Sequence, residues 1–188
     1  MDVAKINELD EKIEELSNAK GIIFDLRGYP KGNHDIITHL IDKHVMSAIW
    51  NVPQIIYPDH ENISGFSTEG RWDVKPKSPK FKGKIVFLTD GRAISYAESF
   101  MGIIENYKLA EIIGETTAGA NGNINPFTLP GNFNISWTGM KVLKHDKSQH
   151  HLIGIKPTIP LKRTIKGIKE GKDELFDKAI ELINLNQN

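Results

Sequence analysis

The chain has 188 residues, 39% hydrophobic and 26% charged, the size and composition of one globular domain with a sizeable core. Lys plus Arg equals Asp plus Glu at 24 each, so the net charge is zero and neither nucleic acid nor an anionic membrane surface is implied as a partner. There is no cysteine, which excludes disulfides, thiolate catalysis and Cys-ligated zinc, and no apolar run reaches the roughly 18 residues of a membrane span.

Val3, Ile6, Leu9, Ile13 and Leu16 step by three and four residues, so an amphipathic helix is expected over 3–18 with Asp2 as its cap. Acidic and lacking a continuous apolar centre, this segment is not a signal peptide. GIIFDL (21–26) reads as a buried strand entering the polar loop RGYPKGN, residues 34–47 as helical, and NVPQIIYP (51–58) as a further strand. Residues 60–83 are rich in Gly, Pro, Ser and Lys without a period and read as a long surface excursion.

KIVFLT (84–89) is a second buried strand and 95–107 a helix with Ala97, Met101, Ile103 and Ile104 inward. AEIIG (110–114) is a third strand, followed by ETTAGANGN. FTLP, FNISWTG, MKVLKH and LIGIKPTIP then read as short strands. Residues 171–184 close the chain as a helix with Leu175, Phe176, Ala179, Ile180 and Ile183 on one side. Strands alternating with helices imply an α/β fold, a mostly parallel sheet flanked by helices, with a β-rich C-terminal part. In such a sheet the loops after the three strands share the carboxyl edge, where ligand sites form.

GRAISYAESF (91–100) holds Ser-x-x-Glu at Ser95 and Glu98, just after a strand. The pattern fits a capping box, in which Ser95 and Glu98 satisfy each other's backbone N–H groups. It also places a hydroxyl at a helix N-terminus, where free N–H groups can hold an oxyanion. Glycine loops GYPKGN and GETTAGANG do not spell a P-loop. His34, His39 and His44 are five apart and do not stack on one helix face, and His150 and His151 are adjacent, so no zinc spacing is present. Trp50, Trp72 and Trp137 are large aromatics suited to a core or a groove.

Taken in order, GIIFDLRGYPKGN, KIVFLTDGRAISYAESF, IIGETTAGANG and GIKPTIPL resemble the motifs of the C-terminal processing, or tail-specific, serine peptidases over roughly residues 20–184. DKSQHHLIGIKPT is similar to a Bacteroidetes-like subgroup. The resemblance implies a crotonase- or Clp-protease-like αβ core, a polypeptide substrate, no cofactor and no metal. It implies Ser95 as nucleophile, the Tyr96 N–H as one oxyanion donor, Gly32 or its neighbour Lys31 as the second, and Glu98 as a support. Where bacterial relatives carry a lysine base, this chain has Ala120. The base is then His151, with His150 beside it, or a histidine upstream of this chain, or none. Residues 1–188 are expected to be a single protease-core domain from the C-terminal part of a longer, periplasmic or extracytoplasmic protein. The alternatives are a catalytically inactive module binding a peptide or apolar ligand on the same fold, and a crotonase-like acyl-thioester enzyme.

Overall fold

The computed structural model describes residues 6–30, 34–59, 61–68 and 70–185. Helix α1 (Ile6–Ser17) leads into β1 (Gly21–Asp25). Strand β6 (Lys84–Thr89), helix α2 (Tyr96–Tyr107) and β7 (Glu111–Gly114) follow later in the chain. Together with β11 (Ile159–Pro160), these strands make one parallel sheet in the order β1-β6-β7-β11. The sheet is the expected parallel α/β core, and its strand order runs in one direction, without a reversal. Asp2 and Val3 lie outside the described residues.

Strand alternation divides the core between the sheet's two faces. Ile22, Phe24, Phe87 and Ile112 face one side and meet Phe100, Met101, Ile103 and Ile104 of α2. Val86, Leu88 and Ile113 face the other and meet Leu175 and Ala179 of α4 (Glu174–Leu185). Helix α2 is buried continuously from Ala97 to Ile104, more completely than its periodicity suggests, because the segments at 117–121 and 155 cover the side away from the sheet. The short helix α3 (Ile165–Lys169) is capped by Thr164 and precedes α4.

Several expectations are corrected. Residues 34–47 hold a 3-10 turn, His34–His39, and then strand β2 (Val45–Met46). Ile36, Ile37 and Thr38 are buried in succession, a pattern no single α-helical face provides, and all three are β-branched. Strand β3 runs Ile49–Gln54, while Ile55, Ile56 and Tyr57 are exposed beyond it. The excursion at 60–83 contains β4 (Gly65–Ser67), paired with β3, and β5 (Asp73–Val74), paired with β2. It is stitched down by Lys77 N–H to Thr38 O at 2.9 Å and Phe81 N–H to His39 O at 3.1 Å. Such long-range bonds leave no period in the sequence.

Strands β8 (Ile124–Leu129) and β9 (Phe133–Thr138) form a separate hairpin, and β10 (Lys141–Leu143) pairs with β3. Only Ile159–Pro160 of the LIGIKPTIP stretch is a strand; residues 151–153 are a turn. On α4 the buried stripe is Leu175 and Ala179, with Leu182 and Ile183 packed against it, while Phe176 and Ile180 are about 40% exposed. The stripe is set by the position of the sheet, one residue round from the face chosen by hydrophobicity alone.

Adjacent residues on α4 therefore differ in what they hold. Leu175→Ala is expected to destabilise the fold by about 2–5 kcal/mol, as for other fully buried leucines, whereas Phe176→Ala should change stability by no more than about 0.5–1 kcal/mol. Urea-unfolding midpoints of the two variants check this.

Candidate active site

Strand β6 ends at Thr89, and five residues carry the chain to the helix N-terminus at Ser95. Asp90 organises this turn: its carboxylate accepts the Arg92 N–H at 2.9 Å and its carbonyl the Ala93 N–H at 3.0 Å. Ala93 is fully buried, so the turn is pinned from within. Ser95 follows with φ 56° and ψ −108°. A non-glycine residue there is strained by about 1–3 kcal/mol, and such strain persists only where the surroundings impose it.

The surroundings are the carboxylate of Glu98. Its side chain is fully buried and accepts hydrogen bonds from Thr117 Oγ1 at 2.6 Å, Gly119 N–H at 2.7 Å, Ala120 N–H at 2.9 Å and Ser95 N–H at 3.3 Å. Burial alone would raise its pKa. The contact with His150 and the donated bonds outweigh burial and hold it below the ordinary carboxylate value. Ser95 and Glu98 stand in the capping-box arrangement, the Glu98 carboxylate reaching back to the Ser95 N–H and the Ser95 side chain facing the Glu98 N–H. The Glu98 N–H donates to the Ser95 carbonyl at 2.9 Å, and the Ser95 hydroxyl makes no well-formed hydrogen bond to any described residue.

The loop that supplies these donors is braced from behind. Thr117 Oγ1 also accepts the Ile155 N–H at 2.8 Å, the Thr117 N–H donates to Ile155 O at 3.1 Å, and Leu152 N–H donates to Gly119 O at 2.8 Å. Gly119 (φ 69°) and Gly154 (φ 68°) let these two backbones approach; a Cβ on Gly154 would sit 2.7 Å from Thr117 Oγ1.

Tyr96 occupies the first position of α2, and its N–H donates to no described group. Its hydroxyl accepts the His34 N–H at 2.8 Å and lies 2.9 Å from His34 Nδ1. The His34 ring stacks on Trp72 at 4.1 Å and 10°. Burial pushes His34 below the usual histidine pKa, against the pull of Asp35, and pushes the Tyr96 phenol up. Trp50, Trp72, Tyr96 and Met140 wall a cavity of about 280 Å³ that opens onto Ser95. Asn121 joins the same wall and is held by its bonds with Ser99 at 3.1–3.2 Å.

Ser95, Tyr96, Glu98 and His150 are brought together. The His150 ring is buried, with Nε2 3.4 Å from Glu98 Oε1 and without hydrogen-bond geometry. His151 is turned elsewhere: its Nε2 accepts the Val142 N–H at 3.2 Å, and burial, with neighbouring His150, lowers its pKa. Neither histidine hydrogen-bonds the Ser95 hydroxyl. Ala120, at the position of the lysine in bacterial relatives, meets Ser95 through backbone, its carbonyl accepting the Ser95 N–H at 3.0 Å. Lys31 and Gly32 lie outside the described residues. Among the described residues no cluster of metal-ligating side chains occurs, and no helix is long and apolar enough to cross a membrane.

Sequence reasoning did not select His34, Trp72 or Thr117 for the site. Of these, Thr117 alone carried a usable signal, lying in the segment IIGETTAGANG that resembles a family motif. His34 and Trp72 meet Tyr96 across separations of 62 and 24 residues, which no local pattern encodes.

The profile of peptidase family S41 matches residues 3–161. No curated protein matches the chain. Among solved structures, the fold resembles a candidate peptidase from Parabacteroides merdae ATCC 43184, at 20% identity and TM-score 0.74, over 94% of this chain and 56% of that one. It also resembles mature CPAF, at 17% identity and TM-score 0.74, over 97% and 48% respectively. The photosystem II D1 C-terminal processing protease is similar at 16% identity and TM-score 0.57, over 83% and 38%. This chain thus spans about half the length, or less, of these structures. At such identities the likeness concerns the fold, whereas the profile match extends along most of the sequence. The chain belongs to peptidase family S41, a family of serine peptidases.

Proposed function

We propose that the chain is the catalytic core of a serine endopeptidase of the C-terminal processing type, with Ser95 as nucleophile. One observation carries this reading. Ser95 is held at φ 56° and ψ −108° by a buried carboxylate, and its hydroxyl is left without a well-formed partner. A serine that served only as a helix cap would adopt an unstrained extended backbone. A non-catalytic binding role gives no reason for the strain either.

In this mechanism Ser95 Oγ attacks the carbonyl carbon of a peptide bond. The carbonyl oxygen, now an oxyanion, takes the free Tyr96 N–H, with a second donor from the loop containing Lys31 and Gly32. Ser95 Oγ loses its proton as it attacks. Collapse breaks the C–N bond and the amine leaves carrying that proton. Water then adds to the acyl carbon, the Ser95 Oγ–acyl bond breaks, and a water proton restores the Ser95 hydroxyl. Glu98 positions rather than reacts: all the hydrogen bonds it accepts orient Ser95 and the 117–120 loop. We assign His150 to Glu98, whose charge it faces. The proton acceptor for Ser95 is not assigned to either adjacent histidine, since neither touches the hydroxyl.

The direct test is a fluorophosphonate probe with the adduct located by mass spectrometry. Labelling at Ser95, absent in Ser95→Ala, is the expected result; a chain that reacts elsewhere or not at all overturns the reading. Labelling rates of His150→Ala and His151→Ala then show whether either histidine affects proton removal.

Glu98 makes stability depend on acid. Its folded pKa is depressed, so the unfolded chain binds more protons at low pH, and its contribution is complete above the unfolded value of about 4.3–4.5 and lost below it. Glu98→Gln should cost about 1.5–3 kcal/mol at pH 7, with the difference from wild type shrinking as pH falls below about 4.5. Urea midpoints at pH 7 and pH 4 read this out.

The Tyr96 hydroxyl ties the oxyanion-donating turn of α2 to the residue that follows the 31–33 loop. Tyr96→Phe leaves the His34 N–H without its acceptor and should destabilise by about 1 kcal/mol. It should also slow Ser95 labelling by about tenfold, less than the 10²–10³ of losing an oxyanion donor outright.

A further inference from the structure

From Thr116 to Met140 the chain has no Asp, Glu, Lys, Arg or His, although 26% of all its residues are charged. At the centre of this stretch is the β8–β9 hairpin, paired from Ile124↔Thr138 to Leu129↔Phe133, and every residue of both strands is exposed. Residues directly opposite in an antiparallel pair share a face. The register therefore gathers Phe127, Leu129, Phe133, Ile135 and Trp137 with Asn125 on one face, while Ile124, Pro126, Thr128, Asn134, Ser136 and Thr138 lie on the other. The five apolar side chains are 41–69% exposed. An isolated two-stranded hairpin is marginal in water, and an open apolar patch on the order of 500 Å² marks an interaction site.

The root of the hairpin identifies its occupant. Asn121, Gly122 and Asn123 lead into β8 and Met140 follows β9, and all four line the cavity that opens onto Ser95. The Gly139 N–H donates to Asn123 O at 2.7 Å and closes the hairpin at that wall. The hairpin is thus an arm built out of the cavity's own rim. We propose that its apolar face docks the polypeptide substrate beyond the residue that enters the cavity. The segments it accepts are extended, uncharged and rich in large aliphatic or aromatic side chains. This proposal rests on the peptidase reading of Ser95.

An extended chain leaving the cavity lays alternate side chains on such a face, and the outer edges of the two strands offer backbone groups for strand addition. A charged segment would lose hydration against residues 116–140 with no countercharge in return. A second copy of this chain is the competing occupant. Two such faces together bury on the order of 1,000 Å², at the lower edge of what a stable dimer needs, which favours a transiently held polypeptide.

The test uses the variant Phe127→Ser/Phe133→Ser/Trp137→Ser, whose substituted side chains are exposed and whose fold is checked by its urea midpoint. A small fluorophosphonate does not reach the hairpin, so Ser95 labelling should be unchanged. KM for a long uncharged apolar peptide should rise about tenfold with kcat unchanged, the signature of lost uniform binding. A peptide of equal length with alternating Glu and Lys should be unaffected. An unchanged KM for the apolar peptide overturns the proposal. So does a wild-type chain that sediments as a dimer while the variant is a monomer, which would make the second copy the occupant. If Ser95 is not labelled even in wild type, the peptidase reading has failed, and binding of the apolar peptide to Ser95→Ala decides docking alone. Binding lost in the triple variant supports the surface, and equal or absent binding in both overturns it.

Discussion

The buried carboxylate of Glu98 is the interaction on which this site depends. A charge with a fully buried side chain is tolerated only when its lone pairs are met by donors, and here the donors come from separate parts of the chain. Ser95 is on the approach to α2, and Thr117, Gly119 and Ala120 are on the loop after β7, while the His150 ring packs beside the same carboxylate without a hydrogen bond. The charge that would be expensive alone becomes the point at which those segments are registered. The strain at Ser95 is sustained by the same bonds, since its N–H is held by Glu98 and by the Ala120 carbonyl together.

The parallel sheet makes this convergence possible. Strands β1, β6 and β7 all run the same way, so the loops that follow them meet at one edge, and each carries one part of the site. Arg27 anchors the first of these loops: its guanidinium forks between Asp25, at the end of β1, and Asp173, just before α4, with both Asp173 oxygens at 2.8 Å. Bidentate pairing of this kind fixes direction as well as distance. It ties the residues just after β1 to the helix covering the opposite face of the sheet. The long segment after β3 completes the wall by laying Trp72 against His34 and Tyr96.

Where the resemblance to the bacterial processing peptidases leads one to expect a lysine, this chain has Ala120. Ala120 contributes only backbone to Ser95, and the adjacent histidines are committed elsewhere, one to a carboxylate and one to the backbone of β10. On the peptidase reading, the strained Ser95 backbone, the free N–H at the positive end of α2 and the aromatic cavity make up the electrostatic part of a hydrolytic site.

Several features were legible in the sequence because they are local. The short apolar runs of β1, β6 and β7, the Ser-x-x-Glu pair three residues apart on a helix, and the ordered motifs of the peptidase family depend on spacing along the chain alone. The fold class and the placement of Ser95 and Glu98 follow from these. What depends on distant partners was not legible. Residues 34–47 took a 3-10 turn and a strand because Ile36, Ile37 and Thr38 are all drawn into the core. Phe176 stayed in water while Leu175 did not, because the sheet selects one stripe of α4. The surroundings of His34, Trp72, His150 and His151 are set by packing between segments far apart in the chain. By itself the sequence determined the buried strands β1, β6 and β7, the helices α2 and α4, and which serine heads α2. The tertiary structure decided which side chains face that serine, because side-chain direction is set by contacts the linear pattern does not contain.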